Sequence, residues 1–183
     1  MKLIGKKIIL RTLKNSDAQS IFININDKKI YNYTDIKPIS LLKVLSFIKK
    51  INKEFNKKES YQFGIEYLDK KGIIGMIGLA GIDNKNKKAE IEFWLGKNYR
   101  GQGVMTESAQ LILKFGFRKL RLKRVFAKTL SDNAASVRLL KNVGFYYEGM
   151  MRKALFERKK WKDVSIFSML NTEFKNNKII KII

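Results

Sequence analysis

Apolar and polar positions alternate through Lys7–Leu13, Tyr61–Leu68, Ile73–Ala80 and Ala89–Leu95, the two-residue period of strands that bury one face. Between the first two runs the period lengthens. Ser16-Asp17-Ala18-Gln19 reads as a capping box opening a helix to about Asn26, and Ser40 caps a longer helix carrying Leu41, Leu42, Leu45, Ile48, Ile51 and Phe55 at helical spacing. Asp69-Lys70-Lys71-Gly72 supplies a short polar turn with glycine where positive φ is needed, and Asp83–Lys88 supplies the next. The pattern predicts a three-stranded meander from Tyr61 to Leu95.

Beyond the meander, Ala109, Ile112, Leu113, Gly116, Phe117 and Leu120 predict a helix from about Gly103 to Leu120. A strand over Arg124–Leu130 follows, then a helix over Asn133–Val143 that Gly144 terminates, then strands near Phe145–Met150 and Val164–Asn171. The single proline, Pro38, lies between the first two helices, and no linker or repeat interrupts the chain. Together these elements predict one α/β (α+β) domain over residues 1–172. Its central sheet is mixed but largely antiparallel, with about six to seven strands and about four helices, and a basic tail of 173–183 follows.

A chain of 183 residues, 45% of them apolar, can fill one sizeable core. No apolar run reaches membrane-spanning or secretory length, so the expected location is the cytoplasm, without membrane contact, as a monomer or homodimer. The absence of cysteine and histidine changes the picture more. It excludes a thiolate nucleophile, a Ser-His dyad, an imidazole base and the usual zinc sites, so no metal is expected. Proton transfer falls to Glu, Asp, Tyr, Ser or water. The excess of 39 Lys and Arg over 16 Asp and Glu, a formal +23, attracts polyanions such as RNA or ribosomes at long range. The lysines are nevertheless dispersed, as an AT-rich genome would produce, and that reading makes them solvated surface charge.

Candidate chemistry centres on Tyr99-Arg100-Gly101-Gln102-Gly103-Val104-Met105-Thr106-Glu107, a glycine-punctuated loop between a strand and a helix. Glycines let a ligand approach the backbone, and the helix N-terminus favours an anion. A nucleoside triphosphate loop would need Gly-Lys-Ser/Thr, and a dinucleotide fingerprint a third glycine; neither is present. On this evidence alone a pyrophosphate guest and a plain turn both stay open.

The segment Asn133-Ala134-Ala135-Ser136-Val137-Arg138-Leu139-Leu140-Lys141-Asn142-Val143-Gly144-Phe145 narrows the choice. With the loop, with Glu148-Gly149 and with Trp161-Lys162-Asp163-Val164, it resembles the GNAT acyltransferase superfamily, and within it the Rim-type ribosomal-protein N-terminal acetyltransferases. The resemblance runs from about Lys7 to Asn171. It implies acetyl-CoA as donor, with backbone groups of Phe93, Trp94 and Leu95 pairing with the pantetheine arm. Arg100, Gly101, Gln102, Gly103, Val104, Met105 and Thr106 would wrap the pyrophosphate, and Asn133 and Ser136 would reach the cofactor from the other side. The family's loop places Gly or Ala where this chain has Met105. Many relatives carry a tyrosine acid where this chain has Leu140, and some Rim-type relatives an acidic residue near Leu155.

The resemblance also implies direct attack of an amine on the thioester, with backbone N–H groups stabilising the oxyanion. Glu90 and Glu92 share one face of their strand and are the candidate bases, Glu90 first because it occupies the family's Ala-Glu-Ile position; the alternative is that either merely pairs with a lysine. Ser136 is the candidate acid. An α-amine titrates near 8 and a lysine near 10.4, so the neutral α-amine is cheaper by roughly 3.3 kcal/mol. A protein N-terminus, such as that of a ribosomal protein, therefore leads. A polyamine or aminoglycoside acceptor is the alternative, weakened by the lack of any acidic cluster in the sequence, where Glu54, Glu59 and Glu66 lie apart. A non-catalytic acetyl-CoA-binding or RNA-binding module is the third reading.

Overall fold

A computed structural model describes residues 1–33 and 40–175 and the backbone of 181–182. Among them, nine strands form one sheet: β1 (Lys2–Ile4), β2 (Ile8–Arg11), β3 (Tyr61–Tyr67), β4 (Gly75–Asp83), β5 (Lys88–Leu95), β6 (Arg124–Leu130), β7 (Tyr146–Glu157), β8 (Lys160–Leu170) and β9 (Lys181–Ile182). Five α-helices accompany them: α1 (Ala18–Ile25), α2 (Lys28–Tyr33), α3 (Leu41–Asn56), α4 (Val104–Lys114) and α5 (Ala134–Val143). The strand order is β7-β8-β6-β5-β4-β3-β2-β1-β9. Every pairing is antiparallel except β5 with β6. The mixed, largely antiparallel sheet is as the sequence predicts. The additional elements β1, β9 and α2 are two to six residues long, too short for a period to register.

The alternation of each strand distributes its apolar residues to two cores. On one face α4 places Val104, Leu111 and Ile112 against Leu10, Phe63, Ile77 and Ile91. On the other, α1 and α3 contribute Ile21, Ile25, Val44 and Ile48, closed by Met76 and Trp94. α4 runs on into a π-helical turn at Phe115–Lys119, where Gly116 lets the helix press on the sheet: a Cβ there would stand 2.9 Å from Leu79 Cδ1.

Three local expectations change. α1 begins at Ala18 after a 3₁₀ turn whose N-cap is Lys14, its amide donating to the Asp17 carboxylate at 2.7 Å, in place of the capping box expected at Ser16. Asp17 also holds Arg11, which bridges to Glu66, a nearly dry triad pinning β2, β3 and α1. The closing hairpin is longer than predicted because most of β7 is exposed, so no buried face marks it in the sequence. Its turn puts Arg158 and Lys159 at φ 51° and 62°, a two-residue left-handed pair without glycine. The tail returns: Phe174 packs on Phe117, and β9 pairs with β1 at the far edge of the sheet. Pro38 and residues 176–180 and 183 of the tail lie outside the described residues.

Candidate active site

The parallel pairing of β5 with β6 covers only Lys88–Glu90 against Arg124–Phe126. Beyond it the strands part, with β5 still bonded to β4 as far as Leu95 and β6 to β8 as far as Leu130. A wedge therefore opens in mid-sheet between two strands whose facing edges lack a partner strand. Peptide groups alternate between edges. Because the Gly96 amide donates to Ile74 on the β4 side, Leu95 and Phe93 present their N–H and C=O groups to the open edge, and those of Trp94 turn to β4. The Leu95 carbonyl accepts from Arg100 Nε at 3.0 Å. Of the three residues expected to face a ligand through the backbone, Phe93 is thus the one wholly free to do so.

Past the end of β5 the chain turns through Gly101 and Gly103 at φ +76° and +79° into the N-terminus of α4. A Cβ built on either glycine meets no atom within 4 Å, so the loop offers bare backbone on its outer side. The first amides of α4 have no acceptor within the helix, and they point outward with the positive end of its dipole. This geometry suits a phosphate or pyrophosphate. The side chains around it act as braces. Arg100 clasps Asp27, and Gln102 accepts from the Tyr67 hydroxyl at 3.0 Å while donating to the Asn98 carbonyl at 2.8 Å. Met105 turns inward and is 9% exposed, so its bulk fills the core instead of the cradle. Thr106 is half-buried at the same helix start, and Glu107 is spent on the amides of Lys6 and Lys7.

The wedge opens on the α3 face into a cavity of about 930 Å³. It gathers Glu90, Glu92, Phe93 and Trp94 from β5, Ala127–Leu130 from β6, and Asn133, Ser136 and Leu140 from α5. Leu95 and Arg100–Thr106 are not part of this lining and sit at the far end of the same strand. Asn133 caps α5, accepting from the Ser136 amide at 3.2 Å. Ser136 is half-buried in the wall, with Leu140 buried one turn on.

The lining also holds what the sequence conceals. Glu54 from α3, Glu59 just after it and Glu157 from the hairpin join Glu90 and Glu92, so five carboxylates share one cavity. The absence of an acidic cluster inferred from the sequence is therefore corrected: the fold assembles one from four separate segments. Arg158 at the hairpin tip bonds Asn32 and the Tyr31 carbonyl of α2, bringing Glu157 to the rim.

Four of the five carboxylates have a cation nearby: Glu54 with Lys50 at 3.7 Å, Glu59 with Lys57 at 3.7 Å, Glu90 with Lys128 at 3.4 Å and Glu157 with Arg158 at 3.8 Å. Among the described residues Glu92 has none. Its partner is the neutral amide of Gln62, donating at 3.0 Å. Although solvent reaches the Glu92 side chain, the cleft walls surround it, and that desolvation, followed by the charges of Glu90 and Glu54, raises its pKa; the Gln62 bond opposes the rise. An unpaired carboxylate with raised pKa can accept a proton from an amine near neutral pH. Glu90, ranked first from the sequence, is the one held by a lysine.

Among the described residues no helix is long and apolar enough to cross a membrane, and no group of three or more acidic residues is arranged to hold a metal ion.

The family description "Acetyltransferase (GNAT) domain" matches residues 7–146. N-acetyltransferase p20 of Bacillus licheniformis is 30% identical, covering 94% of this chain and 97% of that protein. The ribosomal-protein-serine acetyltransferase of Escherichia coli is 30% identical over 54% of this chain and 55% of its own length, and the spermidine N(1)-acetyltransferase of Vibrio cholerae 22% identical over 94% and 98%. Among solved structures, the microcin C7 self-immunity acetyltransferase MccE in complex with acetyl-CoA and AMP superposes with a TM-score of 0.80 at 26% identity, covering 90% of this chain and 93% of that one.

Proposed function

The chain belongs to the GNAT family of acetyltransferases and is an acetyl-CoA-dependent N-acetyltransferase, and from that premise we propose that its acceptor is the N-terminal α-amine of a protein such as a ribosomal protein. The observation that carries this reading is the charge count of the cleft. Five carboxylates with four nearby cations leave one, Glu92, to receive a positive group. One uncompensated charge suits one ammonium better than it suits a polycation. The exposed apolar side chains Met151 and Leu155 at the rim supply cover for the first side chains of a peptide, which a polyamine would leave bare. The net +23 adds long-range attraction to an RNA-rich target.

In this reading the pyrophosphate lies on the backbone of Gly101–Thr106, braced by Arg100 and Gln102. The pantetheine arm enters the wedge along Phe93, and Asn133 and Ser136 line its other wall. Glu92, with Glu90 beside it, takes the proton of the incoming ammonium, directly or through water. The neutral nitrogen attacks the thioester carbonyl carbon, a C–N bond forms, the C–S bond breaks and the sulfur leaves as thiolate. The second proton, shed by the acylated nitrogen, passes through water to that thiolate to give the free thiol. A thiol with a pKa near that of cysteine, about 8.5, leaves with little protonation, so Leu140 in place of a tyrosine acid is tolerated.

A second reading, a small polycationic amine acceptor, is favoured by the five carboxylates themselves if the lysines swing into solvent. Release of free thiol from acetyl-CoA, measured against peptides with free or blocked N-termini and against spermidine, separates the two. The free-N-terminal peptide is the expected acceptor, and turnover confined to spermidine would replace the first reading by the second.

A further inference from the structure

Gln62 on β3, Gly78 on β4 and Glu92 on β5 lie in one row across the sheet, Gln62 opposite Gly78 and Gly78 opposite Glu92. Strands stand about 4.8 Å apart, so a residue on β3 reaches β5 only if β4 carries no side chain between them. Gly78 meets that condition. A Cβ there would come within 2.2 Å of Gln62 Oε1 and 2.4 Å of its Cδ, so the amide lies in the space the missing side chain leaves. From that slot Nε2 donates to Glu92 Oε2 at 3.0 Å.

We propose that Gln62, seated in the slot at Gly78, is the positioning residue of the base: it orients the Glu92 carboxylate toward the wedge and stabilises its ionised form. This rests on the reading of Glu92 as the base. The titratable groups that line the cavity with Glu92 are Glu90 on its own strand, Lys50 and Glu54 from α3, Glu59 after α3, Lys128 from β6, Glu157 from the hairpin and Tyr33 from α2, and Glu90 and Glu54 are the charges that act on it most. Carboxylates predominate among the lining groups, and the cations are drawn to other partners. Among the described residues the Gln62 donor is therefore the one contact that specifically favours negative charge on Glu92. A donor to an ionised acceptor is stronger than a neutral pair, and its loss is felt in proton affinity.

The test is the pH dependence of kcat/KM for an N-terminal peptide acceptor with wild type, Glu92→Gln, Gln62→Met and Gln62→Lys. The limb from the acceptor amine, near 8, belongs to the substrate and stays fixed. Gln62→Met fills similar space without a donor and should move the acid limb upward, lowering kcat/KM on that limb by roughly tenfold. Gln62→Lys puts a cation in the slot and should move it downward. The KM for acetyl-CoA should change little in either, which reports an intact fold. If Glu92→Gln abolishes the limb but neither Gln62 variant moves it, or both move it the same way, Gln62 is only packing and the inference falls while the base assignment stands. If Glu92→Gln retains the wild-type limb, the base assignment falls and takes the inference with it.

Discussion

Replacing Gly103 by valine perturbs the cradle at one defined point. Its φ of +79° lies in the left-handed region, which costs an L residue roughly 1–2 kcal/mol, and a β-branched one more. Beyond its two chain neighbours no atom lies within 4 Å of the added Cβ, so the cost is set chiefly by backbone strain. If the loop keeps its shape, stability falls and Tm drops by about 2–4 °C per kcal/mol. The added methyls then project over the amides at the start of α4. If the loop relaxes, the amides diverge. Either way CoA binding should weaken by roughly 5- to 30-fold, the equivalent of 1–2 kcal/mol. Gly149 provides the control, with φ +145° and equally open space, but in β7 away from the cradle. Calorimetric titration with CoA and thermal melts on both valine variants separate strain from binding: both lose Tm, and only Gly103→Val loses affinity. Unchanged affinity in Gly103→Val would refute the cradle.

Other perturbations reach the rest of the site. Ser136→Ala should lower kcat by less than about tenfold, because a thiolate leaves without an acid; a loss of 10² or more, the scale of general acid catalysis, would make Ser136 the proton donor. Glu54→Gln with Glu59→Gln should change the KM for a peptide acceptor by no more than about fivefold, the worth of exposed ion pairs, and steady-state kinetics showing a larger change would place those carboxylates in peptide binding. Glu148 is held to about 2 by the hydrogen bonds from Arg124 and then Ser168. A folded pKa below the unfolded one stabilises the protein above the unfolded pKa, about 4.3, and that contribution fades as pH falls toward 2. Both partners are about a third exposed, so Glu148→Gln should cost about 1 kcal/mol at pH 7 and almost nothing near pH 2, as read by urea denaturation.

Much of the fold is legible in the chain because long periodic elements bury one face. The Arg124–Leu130 strand falls as expected, and the Asn133 helix ends at Gly144 in the left-handed conformation. The turn through Gly101 and Gly103 into α4 was legible for the same reason, since glycines before an apolar helix fix a local geometry. What escaped is what several elements build together. Glu54, Glu59 and Glu157 carry no local signal and join Glu90 and Glu92 only because α3, β5 and a long exposed hairpin converge. The side chains of Arg100 and Gln102, in the segment expected to wrap the ligand, brace the loop through Asp27, Tyr67 and Asn98, partners up to 73 positions distant. Nothing local separates Glu90 from Glu92. The lysine on one comes from β6, beside β5, and the amide reaching the other comes from β3, two strands away, across the gap at Gly78.

On the proposed reading, this cleft acetylates a single amine at a protein N-terminus through Glu92. Mass spectrometry of a lysine-containing peptide with a free N-terminus, incubated with acetyl-CoA and enzyme, tests it most directly. The expected product carries one acetyl group, located on the α-amine, formed together with one equivalent of free thiol and greatly slowed in Glu92→Gln. Acetylation of lysine side chains with the α-amine untouched, or undiminished turnover in Glu92→Gln, would contradict it.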